Sequence, residues 1–331
     1  MTKQEVIIIV GPTASGKTEA GMMIAEQLGG EIISGDSMQA YQGLDIGTAK
    51  ASPAERKAVA HHGIDIKTIH EAYTAADFKD RAAGWIEDIS RRGKVPVIVG
   101  GTGLYIRALT RNFDFQQSES DPQYRAELER QLAEHGKEQL HEQLRLQDRA
   151  AAERIHPNNA RRVIRALEIL KQQGGRTKAF SEQEEAASPY TVRMIGLDIQ
   201  RDVLYKRIND RVDQMADAGL IEEARWLLEN AGPDVQAAQA IGYKELFPYL
   251  RQECTLEQAL GTLKQHSRNY AKRQLTWFRN KEDVEWMNMT DTSTAAKQAK
   301  LLSYLEGIRQ PLSKGIQAGR KQRGDPDDET C

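Results

Sequence analysis

The chain has 331 residues, 39% hydrophobic and 28% charged, an ordinary globular mix long enough to bury a sizeable core without staples. No apolar run approaches the roughly 20 residues that cross a bilayer. Two distant cysteines, Cys254 and Cys331, make neither a disulfide framework nor a zinc quartet, so a reducing cytoplasm is expected. Net charge is only −2, but it is segregated: residues 154–178 hold seven Lys/Arg against one acid, and residues 258–281 hold six against none.

Residues 6–10, VIIIV, read as a fully buried β-branched strand broken by the glycines of 11–16. Ala20, Met23, Ile24 and Leu28 then recur at helical spacing until Gly29 and Gly30 stop the helix. Residues 31–33 give a second short strand ending at Ser34-Gly35-Asp36. Residues 78–89 are helical in pattern, and 95–99, VPVIV, form a third buried strand ending in Gly100-Gly101. This alternation implies a parallel sheet with crossover helices. Ligands on such sheets sit at the carboxyl ends of the strands, where all three glycine-bearing turns lie.

After Asp114 the pattern changes. Residues 118–122 are turn-rich, 124–170 are helical with breaks around Gly136 and Pro157, and Gly174-Gly175 closes the stretch. Residues 191–199 read as a strand at which the sheet resumes. That makes 116–182 an all-α insertion in a core built from 1–115 and 183–310. Two further long helical patterns span 201–230 and 256–278. The tail 311–331 is rich in charge, has little to bury and is expected to be disordered.

Gly11-Pro12-Thr13-Ala14-Ser15-Gly16-Lys17-Thr18 fits the phosphate-loop pattern at every fixed position, between a strand and a helix as its mechanism requires. The glycines let backbone N–H groups turn inward, and the helix N-terminus adds partial positive charge. Lys17 is expected to neutralise phosphate oxygens and Thr18 to offer its hydroxyl to Mg²⁺. The fold class is therefore α/β: a P-loop NTPase-like parallel sheet core flanked by helices, with an all-α insertion domain. Nucleotide hydrolases of this class carry a metal-holding Asp at the end of an apolar strand. Here 95–99 runs into Gly100-Gly101-Thr102-Gly103 instead, and the acid at a strand end near the loop is Asp36. Asp36 has three readings: it orders Mg²⁺, it acts as a general base, or it caps the next turn.

Behind the loop come Asp36-Ser37-Met38-Gln39-Ala40-Tyr41, Asp45-Ile46-Gly47-Thr48-Ala49-Lys50, His61-His62-Gly63-Ile64-Asp65 and Gly100-Gly101-Thr102-Gly103-Leu104-Tyr105, then RRVIRALE at 161–168, QAIGYKE at 239–245 and KRQLTWFR at 272–279. Together these segments resemble the tRNA dimethylallyltransferase (tRNA isopentenyltransferase) family in its bacterial form, over nearly the whole chain. The resemblance implies transfer of a dimethylallyl group from dimethylallyl diphosphate to the exocyclic amine of the adenosine just 3′ of the anticodon, position 37. Mg²⁺ is the implied cofactor, and the anticodon stem-loop of tRNA and dimethylallyl diphosphate the implied partners. No membrane partner is expected, since no apolar run is long enough, and a monomer is expected.

It further implies Asp36 as general base, Ser37, Met38 and Gln39 as contacts to the target base, Thr102 between base and diphosphate, and Arg225 on the diphosphate. From sequence, Arg225 reads nearly as well as an i,i+3 partner of Glu222. Arg161, Arg162, Val163, Ile164, Arg165, Gln239, Gly242, Tyr243, Lys244, Lys272, Arg273, Gln274, Trp277 and Arg279 lie in the segments expected to meet tRNA. Lys50 is followed by Ala51-Ser52-Pro53, where relatives often place proline directly, which puts only local loop shape in doubt. His61-His62 invites a metal reading, but adjacent histidines point apart and no further ligand cluster accompanies them.

The charge pattern points the same way. Lys264, Arg268, Lys272 and Arg279 fall near one helical face, with Arg273 beside them and Tyr270, Trp277 and Phe278 interleaved; Arg161 and Arg165 form a second pair around Arg162. Basic stripes carry an RNA backbone and aromatics pack an unstacked base. The bland alternative is a solvated helical face with its aromatics in the core. Enzymes that modify a base extrude it, so a channel between core and insertion is expected. Two rivals share the loop: a small-molecule kinase, with Asp36 acting on a hydroxyl, and a nucleotide-gated RNA-binding module without chemistry.

Overall fold

The computed structural model describes residues 3–111, 121–172, 187–290, 293, 296–297 and 299–306. The tail 311–331, Asp114, most of the 118–122 turn and the Gly174-Gly175 stop lie outside them. The chain divides into two compact units, one of Met1–Thr110 with Ser188–Cys331, the other of Arg111–Ala187.

The first unit begins with β1 (Glu5–Val10), buried from Val6 onward, as a β-branched run without polar alternation requires. In chain order follow α1 (Lys17–Leu28), β2 (Glu31–Ser34), α2 (Pro53–Ala58), β3 (His61–His62), α3 (Ala75–Arg91), β4 (Pro96–Val99) and α4 (Gly103–Thr110). The second unit supplies α5 (Pro122–Gln147), α6 (Arg149–Arg154) and α7 (Ala160–Gln172). The first unit then resumes with β5 (Thr191–Asp198), α8 (Arg201–Asp217), α9 (Leu220–Ala231), α10 (Phe247–Leu250), α11 (Leu256–Lys281) and β6 (Glu285–Asn288). Capping boxes start α3 at Thr74 and Asp77 and α11 at Thr255 and Gln258, each cap worth about 1 kcal/mol.

The sheet order is β3-β2-β4-β1-β5-β6, and every pairing is parallel. The chain re-enters beside β1, pairing from Glu5 opposite Thr191 to Val10 opposite Gly196. This is the P-loop-like α/β fold, with the ends of β1, β2 and β4 on one edge. Helix and sheet meet closely there: a Cβ on Gly21 of α1 would lie 2.4 Å from Val99, and one on Gly100 would lie 2.3 Å from the Gly35 backbone. The glycines after β2 and β4 thus let two turns touch.

The edge strands β3 and β6 have no sequence signal. One is His61-His62 alone and the other is Glu285-Trp286-Met287-Asn288; pairing to a single neighbour makes them strands. A correction concerns 201–230, expected as one helix. Gly219 takes φ +106° and divides it into α8 and α9.

In the second unit Gly136 breaks α5 at φ +81°, and Asp148 starts α6 by accepting from the Ala151 N–H at 2.9 Å. Its core includes Leu128, Leu144, Val163, Ile164 and Leu167. Val163 and Ile164, expected to meet RNA, are packed inside, because they fill the apolar stripe of α7. Glu168 is buried there and paired with Arg125 and Arg165.

Candidate active site

Between β1 and α1, Ala14 takes φ +62° and Gly16 φ +85°. Two left-handed positions in three residues curl the backbone into an anion-receiving nest. Lys17 arches back over the loop and donates to the Pro12 carbonyl at 2.7 Å. The loop lines a cleft of about 440 Å³ together with Asp36, Gln39, Arg211 and Tyr270. A second cavity of about 300 Å³ shares Thr13, Asp36, Thr48, Ala49, Arg211 and Tyr270 with it, and adds Ser37, Met38 and an apolar side made by Ile208, Val212 and Leu263. The residues common to both, Asp36 among them, are where the two spaces meet.

Three charges, Lys17, Asp36 and Arg211, act on one another in the phosphate-loop cleft. Burial pushes the Lys17 ammonium down to about 7, helped by the neighbouring Arg211 and opposed by Asp36. Burial also lowers Arg211, again opposed by Asp36. The Asp36 carboxyl is raised by burial, against the Met38 N–H, Lys17 and Arg211, which all favour its charge. Within this group two desolvated cations face one carboxylate, a local excess that favours an anion between them. Asp36 is aimed by its own turn, Oδ1 accepting from the Met38 N–H at 2.9 Å.

Thr102 sits behind Ser37, its Oγ1 accepting from the Ser37 N–H at 3.1 Å. Tyr270 has its phenol raised by burial and by the charge of Asp36, an effect reduced by hydrogen bonds to Thr102 and Gln274. Gln274 ties two turns together: Oε1 accepts from the Thr13 N–H at 2.9 Å and Nε2 donates to the Gly101 carbonyl at 3.0 Å. A Cβ on Gly101 would lie 2.1 Å from that amide nitrogen.

The family described as IPP transferase matches residues 39–281. The chain belongs to this family. The chain is 50% identical over 313 residues to a tRNA dimethylallyltransferase of Halalkalibacterium halodurans, covering 94% of this chain and all of the relative. It is 51% identical over 308 residues to the tRNA dimethylallyltransferase of Geobacillus thermodenitrificans, covering 92% and 97%. A full-length tRNA isopentenylpyrophosphate transferase from Bacillus halodurans superposes with TM-score 0.71 at 49% identity, covering 95% of this chain and 100% of that one. A eukaryotic dimethylallyltransferase acting on tRNA superposes with TM-score 0.78 at 30% identity, covering 91% and 77%.

Several residues stand elsewhere than their motifs suggested. Arg225, expected on the diphosphate, is exposed on α9 and is not among the described residues that line either cavity. Among the described residues the arginine that lines the phosphate-loop cleft is Arg211, which no sequence motif marks. Its signal was its register: Leu204, Ile208 and Val212 form the buried stripe of α8, and Arg211 falls within that apolar face.

Gln274 and Tyr243, expected to contact RNA, spend their polar groups inside the protein, Tyr243 being buried with its hydroxyl donating to Glu223 at 2.6 Å. Gln39 lines the larger cleft, but its amide is held by Ser34, Thr48 and Ala49. Gln239, Gly242, Lys244 and Arg273 do border the smaller cavity.

The basic stripe on α11 is also less open than its spacing implied. Lys264 pairs with Asp213 at 2.6 Å, Arg268 donates to Asn209 at 2.7 Å, and Arg279 reaches Asp198 at 3.0 Å. Trp277 lies against Gly103, where a Cβ would be 2.3 Å from its ring. Lys272 and Arg273 remain exposed on α11, as Arg161 and Arg162 do on α7. His61 and His62 are engaged by the Val59 carbonyl and by Glu31, each at 2.8 Å.

Proposed function

We propose that this protein transfers a dimethylallyl group from dimethylallyl diphosphate to the exocyclic amine of adenosine 37, next to the anticodon of tRNA, releasing diphosphate. The observation that carries the reading is the junction of the two cavities, where Asp36 stands between a phosphate-loop cleft and a space bordered by Ser37, Met38 and apolar side chains. The diphosphate takes the loop, with Lys17 and Arg211 on its oxygens. The bond from the allyl carbon to the diphosphate oxygen breaks, and charge developing on that oxygen meets the two cations and the inward N–H groups. The amine nitrogen bonds to the same carbon, and Asp36 accepts the proton it gives up. A carboxyl raised by burial is a stronger base than an ordinary one, which suits a weakly basic amine. Thr102 supports this through Ser37 and Tyr270.

Mg²⁺ fits the oxygen donors here. Among the described residues no group of three His, Cys, Asp or Glu side chains could hold a metal alone, so the ion would be held by the Thr18 hydroxyl, with Asp36 near, and by the ligand's phosphate oxygens. When bound it would supply further charge neutralisation on the leaving group. Lys272, Arg273, Arg161 and Arg162 are the exposed cations offered to the tRNA backbone. Among the described residues no helix is long and apolar enough to cross a membrane, and we place the enzyme in the cytoplasm with its tRNA, as a monomer.

The kinase reading shares the loop but gives no use to the exposed cations of α7 and α11, and the relatives at about 50% identity bear the name of tRNA dimethylallyltransferases. Mass spectrometry of tRNA incubated with the protein and dimethylallyl diphosphate tests the proposal: one dimethylallyl group on adenosine 37 is expected. Phosphoryl transfer from ATP to a small acceptor, with RNA left unmodified, would overturn it.

A further inference from the structure

Residues 45–47 present three consecutive backbone N–H groups outside any helix or strand, and all three converge on one carboxylate. Glu223 Oε2 accepts from Asp45 at 2.8 Å and Ile46 at 2.9 Å, while Oε1 accepts from Gly47 at 2.9 Å. The Tyr243 hydroxyl donates to the same Oε1 at 2.6 Å. Tyr243 is buried, and its ring fills the space that a side chain at 47 would need, a Cβ there lying 2.6 Å from its Cζ. The next two residues are held from the other side: Gln39 Nε2 donates to the carbonyls of Thr48 at 3.2 Å and Ala49 at 3.3 Å, and Ser34 fixes Gln39 Oε1 at 2.8 Å. Gln39 closes the short turn that Asp36 opens. A connected run of hydrogen bonds therefore leads from Glu223, through the 45–49 loop and Gln39, to the turn that carries the Asp36 carboxylate. Thr48 and Ala49, in the middle of that run, line both cavities.

We infer that Glu223 is a positioning residue for the transfer reaction: with Tyr243 it clamps the 45–47 loop, and through Gln39 it sets the place of Asp36 relative to the junction of the two cavities. The inference rests on the proposed prenyl transfer. A carboxylate is the group that accepts from four donors at once. Glutamine at 223 keeps the volume but turns one end of the group into a donor, so either Gly47 and Tyr243 or Asp45 and Ile46 face an N–H. The clamp leaves the phosphate loop untouched, so loosening it disturbs the step that uses Asp36 and spares the grip on diphosphate.

The test compares full-length wild type, Glu223→Gln and Glu222→Gln for kcat, for the KM of each substrate and for melting temperature. In Glu223→Gln, kcat falls by about tenfold or more, toward the roughly 10²-fold that a misplacement of about 1 Å can cost, while the diphosphate KM stays within about threefold. Glu222→Gln, one residue earlier and exposed, stays within about twofold, as surface changes do. An unchanged kcat in Glu223→Gln, a loss confined to the tRNA KM, or an equal loss in Glu222→Gln overturns the assignment. If Glu223→Gln does not fold, Tyr243→Phe carries the same test, since it keeps the ring on Gly47 and removes one donor; a smaller kcat loss at constant diphosphate KM is expected, and an unchanged kcat overturns the inference. A wild type inactive on tRNA would instead defeat the prenyl-transfer reading, and this role with it.

Discussion

Two walls enclose the junction of the cavities, and they work by different means. The strand-end wall, formed where β1, β2 and β4 stop, offers mostly backbone: the nest of residues 11–18 and the turn that aims Asp36 through the Met38 N–H. The helical wall of α8 and α11 offers side chains, Arg211, Tyr270 and Gln274, whose spacing is set by helix packing such as the Lys264–Asp213 and Arg268–Asn209 links. Backbone donors fixed by local dihedrals hold charge whatever the rest of the fold does. Side chains on separate helices position groups only while those helices stay packed. Gln274 joins the two walls by bonding both Thr13 and Gly101.

The largest expected effect tests the strand-end wall. Asp36→Asn keeps the oxygen that accepts the Met38 N–H and removes the proton acceptor. Turnover should fall by about 10²–10⁴-fold, the usual worth of a general base, with tRNA affinity nearly unchanged in a filter-binding measurement. Full activity in Asp36→Asn would leave the proton to another acceptor and reduce this wall to a diphosphate cradle.

The helical wall is tested by a pair of arginines. Arg211→Ala should cost about 10²-fold in kcat/KM, comparable to losing one donor to a developing oxyanion. Arg225→Ala, exposed and away from both cavities, should cost little. The opposite ranking would restore Arg225 to the diphosphate.

This pair also shows where sequence runs short of structure. The strand-end wall is readable because its parts are contiguous: a β-branched run, a glycine pattern, a lysine and threonine at fixed offsets, and a carboxylate closing the next strand. The helices α5 to α7 follow helical periodicity in the sequence, with the break at Gly136. Arg211 was not readable, because its role depends on α8 packing beside the loop from about 200 residues away in the sequence. On one unbroken helix over 201–230, Arg211 and Arg225 would lie within about 40° of each other at 100° per residue, so either would have served. Gly219 ends that equivalence by re-aiming α9. Gln274 and Tyr243 were recognised as part of motifs, but a motif does not say whether a polar group faces a ligand or a neighbouring turn.

A smaller effect follows from the Lys17 ammonium of the strand-end wall, which Arg211 of the helical wall helps to lower. With Lys17 lowered to about 7, the free enzyme loses that cation as pH rises through neutrality, so kcat/KM for dimethylallyl diphosphate should fall above about pH 7. Bound diphosphate favours the ammonium, so the corresponding fall in kcat should come at higher pH, since kcat reports the complex and kcat/KM the free enzyme. Asp36 works in the opposite sense. Its carboxyl is raised, and activity should drop as acidification protonates it. Lys17→Arg should remove the alkaline fall in kcat/KM; if the fall persists, another group is responsible.

The smallest effect separates cations that serve the fold from cations offered to RNA. On α11, Lys264, Arg268 and Arg279 are engaged with Asp213, Asn209 and Asp198, and moving them onto phosphates would break links that hold the helical wall together. Lys272 is exposed beside them. Each phosphate contact contributes about 0.7–0.9 to the slope of log affinity against log salt concentration. Lys272→Ala should therefore flatten the salt dependence of tRNA binding by about one contact and leave the diphosphate KM alone. Lys264→Ala should lower the melting temperature and leave the slope where it was. If Lys272→Ala instead leaves the slope unchanged while Lys264→Ala flattens it, the ion pair with Asp213 opens on RNA binding, and the helical wall is then rebuilt by its substrate rather than set in advance.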